Sequence, residues 1–142
     1  MRNAPLDELI RIHKALAHPV RVRILAMLRG DELCVCQLNA VIALAPSTMS
    51  AHLGELKDAG LVAERKAGRW VHYRLVAEDA AAAALEALWP ALAGDAQVRD
   101  DAKLLAGITK LSAEAICRPD FDIAGLRKRC CPVLPVRRRA RA

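Results

Sequence analysis

Apolar positions recur along the first ninety residues with a helical period that is interrupted once. Leu6, Leu9, Ile10, His13, Leu16 and Ala17 fall on one helical face, which predicts an amphipathic helix over Leu6–Ala17. Pro19 ends that helix and opens the next, Val20–Arg29, with Val20, Ile24, Met27 and Leu28 facing one way and Gly30 as the stop. Leu33–Ala43 reads as a third, shorter helix. Pro46-Ser47-Thr48 starts a fourth, which carries Leu53 and Leu56 inward and runs to Gly60. There the period drops to two. Leu61–Lys66 and Arg69–Leu75, split by Ala67-Gly68, predict a β-hairpin. Helical spacing returns over Glu78–Leu92, with Pro90 as a kink or local end, and over Val98–Ile116. Beyond Arg118-Pro119 the chain is rich in Pro and Arg, loses its period, and is expected to be poorly ordered.

This order predicts a mainly α fold with a small β-hairpin. Two short helices joined by a tight turn and followed by a basic hairpin are the layout of a winged helix-turn-helix. The expected division is a DNA-binding and dimerisation domain over residues 1–95, an additional C-terminal helix over 96–118, and a basic tail over 119–142. A chain of 142 residues fits one such domain with a tail.

Composition sharpens that picture in two respects. The apolar fraction is 54% and the aromatic fraction 3%, so the core must rest on small and branched aliphatic side chains, with Trp89 and Phe121 as its few large anchors. No run of about 18 uncharged apolar residues exists, and Asp7, Glu8, Arg11 and Lys14 interrupt the N-terminal segment. Neither a membrane span nor a signal peptide is expected, and the predicted location is cytoplasmic. The net charge of +6 is unevenly placed: residues 1–75 carry a net +4, residues 76–126 a net −5, and residues 127–142 seven basic and no acidic side chains. A basic front suits phosphate contacts, and the acidic segment would be repelled by them.

The candidate DNA-reading face lies on the fourth helix. Ser47, Thr48, Ser50, Ala51 and His52 are short polar or methyl-bearing residues suited to base edges and phosphates. Ser47 and Thr48 serve equally well as simple helix caps at this stage. On the hairpin, Arg65, Lys66, Arg69 and Arg74 are candidate phosphate clamps.

From Leu16 to Leu75 these pieces occur in an order that closely resembles the ArsR/SmtB family of repressors. The matching segments are Ala17-His18-Pro19-Val20-Arg21, Ser50-Ala51-His52-Leu53, Ala59-Gly60-Leu61-Val62, and Arg65 through Leu75. The resemblance implies a homodimer whose first and last fold helices, here Leu6–Ala17 and Glu78–Leu92, pair across a twofold axis. It also implies a double-stranded DNA operator as partner and no enzymatic activity. A thiol enzyme is the reading from another class, but neither a phosphate-like cysteine loop nor a Cys-x-x-Cys beside a βαβ unit is present.

Five cysteines are an odd number for a disulfide framework and read as thiols for metal or redox chemistry. Glu32-Leu33-Cys34-Val35-Cys36-Gln37-Leu38 resembles the thiolate motif of the family's arsenite and cadmium/lead branches. Cys34 and Cys36 stand at the expected first turn of the third helix, where the helix end favours thiolates. Soft thiolates select As(III), Sb(III), Cd(II) or Pb(II). Two helical residues two apart point about 200° away from each other, so ligation by both should distort that turn. The bland alternative is a pair of small buried apolar residues.

The arsenite pattern of the family has a third cysteine where Asn39 stands. The family's zinc site uses histidine on the helix after the wing, and Glu78–Leu92 contains none. The remaining candidates for a third ligand are Cys117 first and the Cys130-Cys131 pair second. The expected inducer is As(III) or Sb(III), with Cd(II)/Pb(II) sensing or dithiol redox and persulfide sensing as alternatives. His13, His18 and His72 read as packing or surface residues.

Overall fold

The computed structural model describes residues 5–118 and 120–130. Helix α1 (Pro5–Leu16) carries Asp7 and Glu8 in its first turn and His13 and Lys14 in its last, the sense that complements the helix dipole. Helix α2 (Pro19–Leu28) begins at Pro19, and His18 caps it by accepting the Val20 N–H on Nδ1 at 3.1 Å. Helices α3 (Val35–Ile42) and α4 (Pro46–Asp58) follow as the helix-turn-helix pair. The hairpin strands β2 (Val62–Ala67) and β3 (Trp70–Leu75) pair from Val62↔Leu75 to Ala67↔Trp70. Gly68-Arg69 is left as a two-residue turn, with Gly68 at φ 59°, a conformation that suits glycine in so tight a connection.

Three expectations need correction. Leu33 does not begin a helix. Leu33–Cys34 forms a short strand, β1, paired antiparallel with Tyr73 and His72, so the sheet has the order β1-β3-β2. Both side chains are buried, and pairing with a strand some forty residues away overrides the local helical spacing. The long helix Val98–Ile116 is divided into α6 (Ala96–Ile108) and α7 (Ala113–Ile116), because Ser112 restarts the helix by accepting the Ala115 N–H at 3.2 Å. A further helix, α8 (Ile123–Cys130), occupies part of the segment expected to lack order. Asp122 caps it through the Gly125 N–H at 2.8 Å, and Leu126 is buried. Phe121, Ile123 and Leu126 are too few to declare a period in sequence. Pro90 lies in the last turn of α5 (Asp79–Leu92), two residues before the helix ends.

The C-terminal helices share the core of the winged-helix unit. Leu104, Ile108, Ile116 and Leu126 belong to one buried cluster with Ile12, Ile24, Leu25, Leu38, Met49, Leu53 and Leu56. Trp89 and Phe121 are half-buried against it, and Arg29 lies over the Trp89 ring at 4.8 Å. A two-pronged ion pair joins α2 to α6: Arg23 donates Nε to Asp101 Oδ2 at 2.7 Å and Nη2 to Oδ1 at 2.8 Å. Gln97 adds a bond to the same carboxylate at 3.0 Å.

Asp101 is the buried charged residue of the described core, at 4% exposure, so Asp101→Ala strands the Arg23 guanidinium. Removing one partner of a fully buried pair costs about 3–5 kcal/mol; because Arg23 keeps some contact with water, the expected loss is about 2–3 kcal/mol. Urea denaturation measures it. A loss below about 0.5 kcal/mol, the range of an ordinary surface substitution, would show that the pair does not hold α6 to α2.

Candidate nucleic-acid interface and thiol centre

The exposed face of α4 has the predicted composition. Ser47, Thr48, Ser50 and Ala51 are exposed, and Met49, Leu53 and Leu56 are buried. Capping does not account for Ser47 and Thr48, because the N-cap is Ala45 and both hydroxyl residues lie inside the first turn. His52 is half-buried against His18, with ring centroids 4.4 Å apart. Burial first, then the neighbouring His18 and Arg21, hold its imidazole below the ordinary value of 6.5, against an opposing pull from Glu55. At neutral pH His52 therefore presents a neutral ring with one donor and one acceptor.

The hairpin charges divide into two groups. Arg65, expected as a phosphate clamp, is paired with Glu32, with Nε 3.1 Å from Oε1 and Nη2 on the same oxygen. Glu32 immediately precedes β1, and His72 Nδ1 lies 3.9 Å from it. Glu64 is bonded by Lys57 at 2.8 Å and by the Tyr73 hydroxyl at 3.0 Å, and the Lys57 bond holds its carboxyl below the usual range. Burial, with Glu64 beside it, pushes the Tyr73 phenol up to about 12. Lys66, Arg69 and Arg74 point outward, with the Arg69 guanidinium over the Trp70 ring at 4.8 Å and 4.0 Å from Glu114.

The turn between α3 and α4 is clamped by Asn39. Its Nδ2 donates to the Leu44 carbonyl at 2.9 Å and its Oδ1 accepts the Leu44 N–H at 2.8 Å. Ala43 adopts a left-handed conformation (φ 59°) to make this possible. The Asn39 amide thus has a structural task, one that its position before an apolar loop did not announce.

At the other end of α3, Cys34 is the N-cap residue. Its side chain is buried, and its N–H donates to Gln37 Oε1 at 2.9 Å. Cys36, in the first turn, is joined to Cys117 as a disulfide across 81 residues, with Cα atoms 5.5 Å apart. Cys36 and Cys117, both expected as thiols, are thus joined to each other, and Cys34, the expected first ligand beside Cys36, is a free thiol. Among the described residues no group of three or more His, Cys, Asp or Glu side chains is placed to hold a metal ion. The backbone of Cys130 closes α8, and Cys131 lies outside the described residues. Among the described residues no helix is long and apolar enough to cross a membrane.

Comparison with known proteins places this arrangement. A profile of the arsR family of bacterial regulatory proteins matches residues 18–64. An arsenic resistance transcriptional regulator of Pseudomonas putida is 42% identical over 65 residues, which is 45% of this chain and 51% of that protein. The arsenical resistance operon repressor of Escherichia coli is 42% identical over 67 residues, 46% of this chain and 57% of that protein. This chain therefore spans little more than half the length of these curated relatives. Among solved structures, a homodimeric winged helix-turn-helix DNA-binding domain of a possible ArsR-family regulator from Mycobacterium bovis superposes with a TM-score of 0.53. It is 35% identical and is covered over 82% of its length by 62% of this chain.

The packing around His52 has a measurable consequence. Its imidazole is expected to titrate below 6.5 in an NMR pH series, and His18→Ala, which removes both cover and a like charge, is expected to move the midpoint upward. Because the folded value is depressed, the unfolded chain binds the proton first, so this residue's contribution to stability is lost as pH falls through 6.5. A His52 midpoint at or above 6.5 would contradict the buried placement.

Proposed function

The chain belongs to the ArsR family of bacterial regulatory proteins, and we propose that it is a homodimeric transcriptional repressor released from its operator by arsenite or antimonite. The observation that carries this reading is the convergence of Cys36 and Cys117 at the base of α3, the helix whose far end turns into α4. In the reduced protein the two thiols replace two hydroxyls of As(OH)3. Two As–S bonds form and two waters leave with the thiol protons, without any change of oxidation state. Cys34, one residue beyond Cys36's neighbour Val35, is the nearest candidate for a third sulfur. Its recruitment requires the Gln37 cap and the Cys34–His72 pairing to open, which transmits the event to the hairpin. The Cys130-Cys131 pair remains the second-ranked source. Cd(II) and Pb(II) suit the same soft donors.

DNA recognition rests on α4, with Ser47, Thr48, Ser50, Ala51 and His52 at the bases and Lys66 and Arg69 on flanking phosphates. Dimerisation rests on α1 and α5, which pack together, and α1 presents Leu6, Leu9 and Ile10 at 44–67% exposure on its outer side. Apolar side chains so exposed on one helix are suited to a twofold partner. The disulfide itself favours a second reading, a repressor that responds to oxidants: two thiols lose two electrons and two protons to a peroxide, which becomes water.

Ser50→Ala with His52→Ala is expected to weaken operator binding, since each lost base contact costs about 1–3 kcal/mol. Under reducing conditions Cys36→Ser and Cys117→Ser are each expected to bind operator normally and to lose arsenite-driven release, as read by fluorescence anisotropy. Cys130→Ser with Cys131→Ser tests the tail pair without removing Leu126 from the core. Full arsenite release from both single variants would reject the Cys36–Cys117 site and leave the repressor reading intact. Release by peroxide alone, with no response to arsenite in the parent, would favour the oxidant reading.

A further inference from the structure

The most basic stretch of the chain begins on α8, beside the helix-turn-helix. Leu126 anchors α8 in the shared core, and the helix packs on α6. The Arg127 guanidinium reaches the Val41 carbonyl at 3.5 Å, in the last turn of α3, where the carbonyl end of a helix favours a cation. Val41 precedes the Asn39–Leu44 clamp's end by three residues and the start of α4 by five. The next two residues, Lys128 and Arg129, are exposed. Residues 76–126 carry a net −5, and after Asp122 the chain has no further acidic residue. The sign of the charge therefore changes at the point where the chain reaches the reading helices.

We propose that α8 extends the DNA-contacting surface, with Arg127 fixing the helix beside the α3–α4 turn and Lys128 and Arg129 taking backbone phosphates next to the segment read by α4. This rests on the DNA-binding reading given above. Phosphate is the partner that fits, because contacts at this position call for charge without base-edge chemistry and Arg127 reaches the end of α3, five residues before α4 begins. The acidic residues near α8 do not cancel it: Asp122 is at the opposite end of the helix, committed to the Gly125 N–H. Such contacts add affinity for any duplex and leave sequence preference to α4.

The test is fluorescence anisotropy of the full chain on a random-sequence duplex of about three helical turns, from 50 to 200 mM salt, with the parent, Lys128→Ala/Arg129→Ala, and Lys66→Ala/Arg69→Ala. Each phosphate contact contributes about 0.9 to the slope of log affinity against log salt, so losing two lowers the slope by about 1.8 per protomer. Over that fourfold salt range the α8 variant is expected to lose about tenfold less affinity than the parent for each bound protomer, or about a hundredfold less for the homodimer. Its preference for operator over random duplex should be unchanged. Lys128→Arg/Arg129→Lys keeps the charges and should keep the parent's slope. A parental slope in the α8 variant, alongside a reduced slope in the hairpin variant, overturns this proposal and leaves the DNA-binding reading standing. A parent that binds no duplex overturns both. Binding of the parent to anionic phosphatidylserine vesicles but not to DNA, lost in the α8 variant, would assign these cations to a membrane surface and overturn the proposal.

Discussion

The pairing of Leu33–Cys34 with Tyr73–His72 is the constraint on which the rest of the arrangement depends. It converts a two-stranded hairpin, which is marginal in water by itself, into a three-stranded sheet attached to the start of α3. Leu33 is buried beneath it, an effect of about 1.5–3 kcal/mol for a leucine side chain. Outside it, Arg65 holds Glu32 from the hairpin, so the same junction is tied on its solvent side by charge. As a result the hairpin, the N-terminal turn of α3 and the cysteine motif form one connected structure. Cys34 lies in the strand ladder beside the hairpin, and Cys36 lies in α3, whose far end leads into α4.

The C-terminal third serves that unit from the other side. Asp101 engages Arg23 of α2, Cys117 engages Cys36 of α3, and Arg127 engages the end of α3. These three attachments, spaced along α6 to α8, brace α2 and α3, the latter the first helix of the helix-turn-helix. The acidic character of residues 76–126 then acquires a structural meaning, because part of it is spent internally on Arg23 and on helix caps such as Asp95 and Asp122.

Most of the winged-helix order was legible in the sequence because α1, α2, α4, the hairpin and α5 each show several turns or strands of consistent periodicity. What escaped was set by partners distant in the chain. Two residues, Leu33 and Cys34, carry too little pattern to distinguish a strand from the start of a helix, and only Tyr73 and His72 decide the matter. The break at Thr109–Ser112 depended on a single serine cap, and α8 on one buried leucine. At the site, the outward residues of α4 were legible from helical spacing. The pairing of Arg65 with Glu32 was not, because 33 residues separate the two. The nearness of Cys117 to Cys36 could be expected only from the need for a third sulfur and the return path of the helix before Cys117, since no periodicity relates residues 81 apart.

Asn39, at the position where the resembled arsenite motif has a cysteine, changes what an inducer of the proposed site would have to do. Three thiols within one short helix would force that helix to unwind around the ion. With Asn39 locking the α3–α4 turn through Leu44, that end of α3 is held, and the sulfurs proposed as donors come from two elements, α3 and the end of α7. A ligand that bridges two elements shifts an equilibrium only by the difference in its affinity for their alternative separations. Moving a population from mostly bound to mostly released takes a differential affinity of about 10⁴-fold, or roughly 5.5 kcal/mol. Two As–S bonds formed at the Cα separation already found here would bind the ion without selecting a new conformation. The proposed switch therefore needs the released state to differ at this junction, by a changed α3–α7 spacing or by exposure of Cys34 as β1 leaves β3. Of these, separation of β1 from β3 also loosens the hairpin, so it is the change that connects ion uptake to both DNA-contacting elements at once.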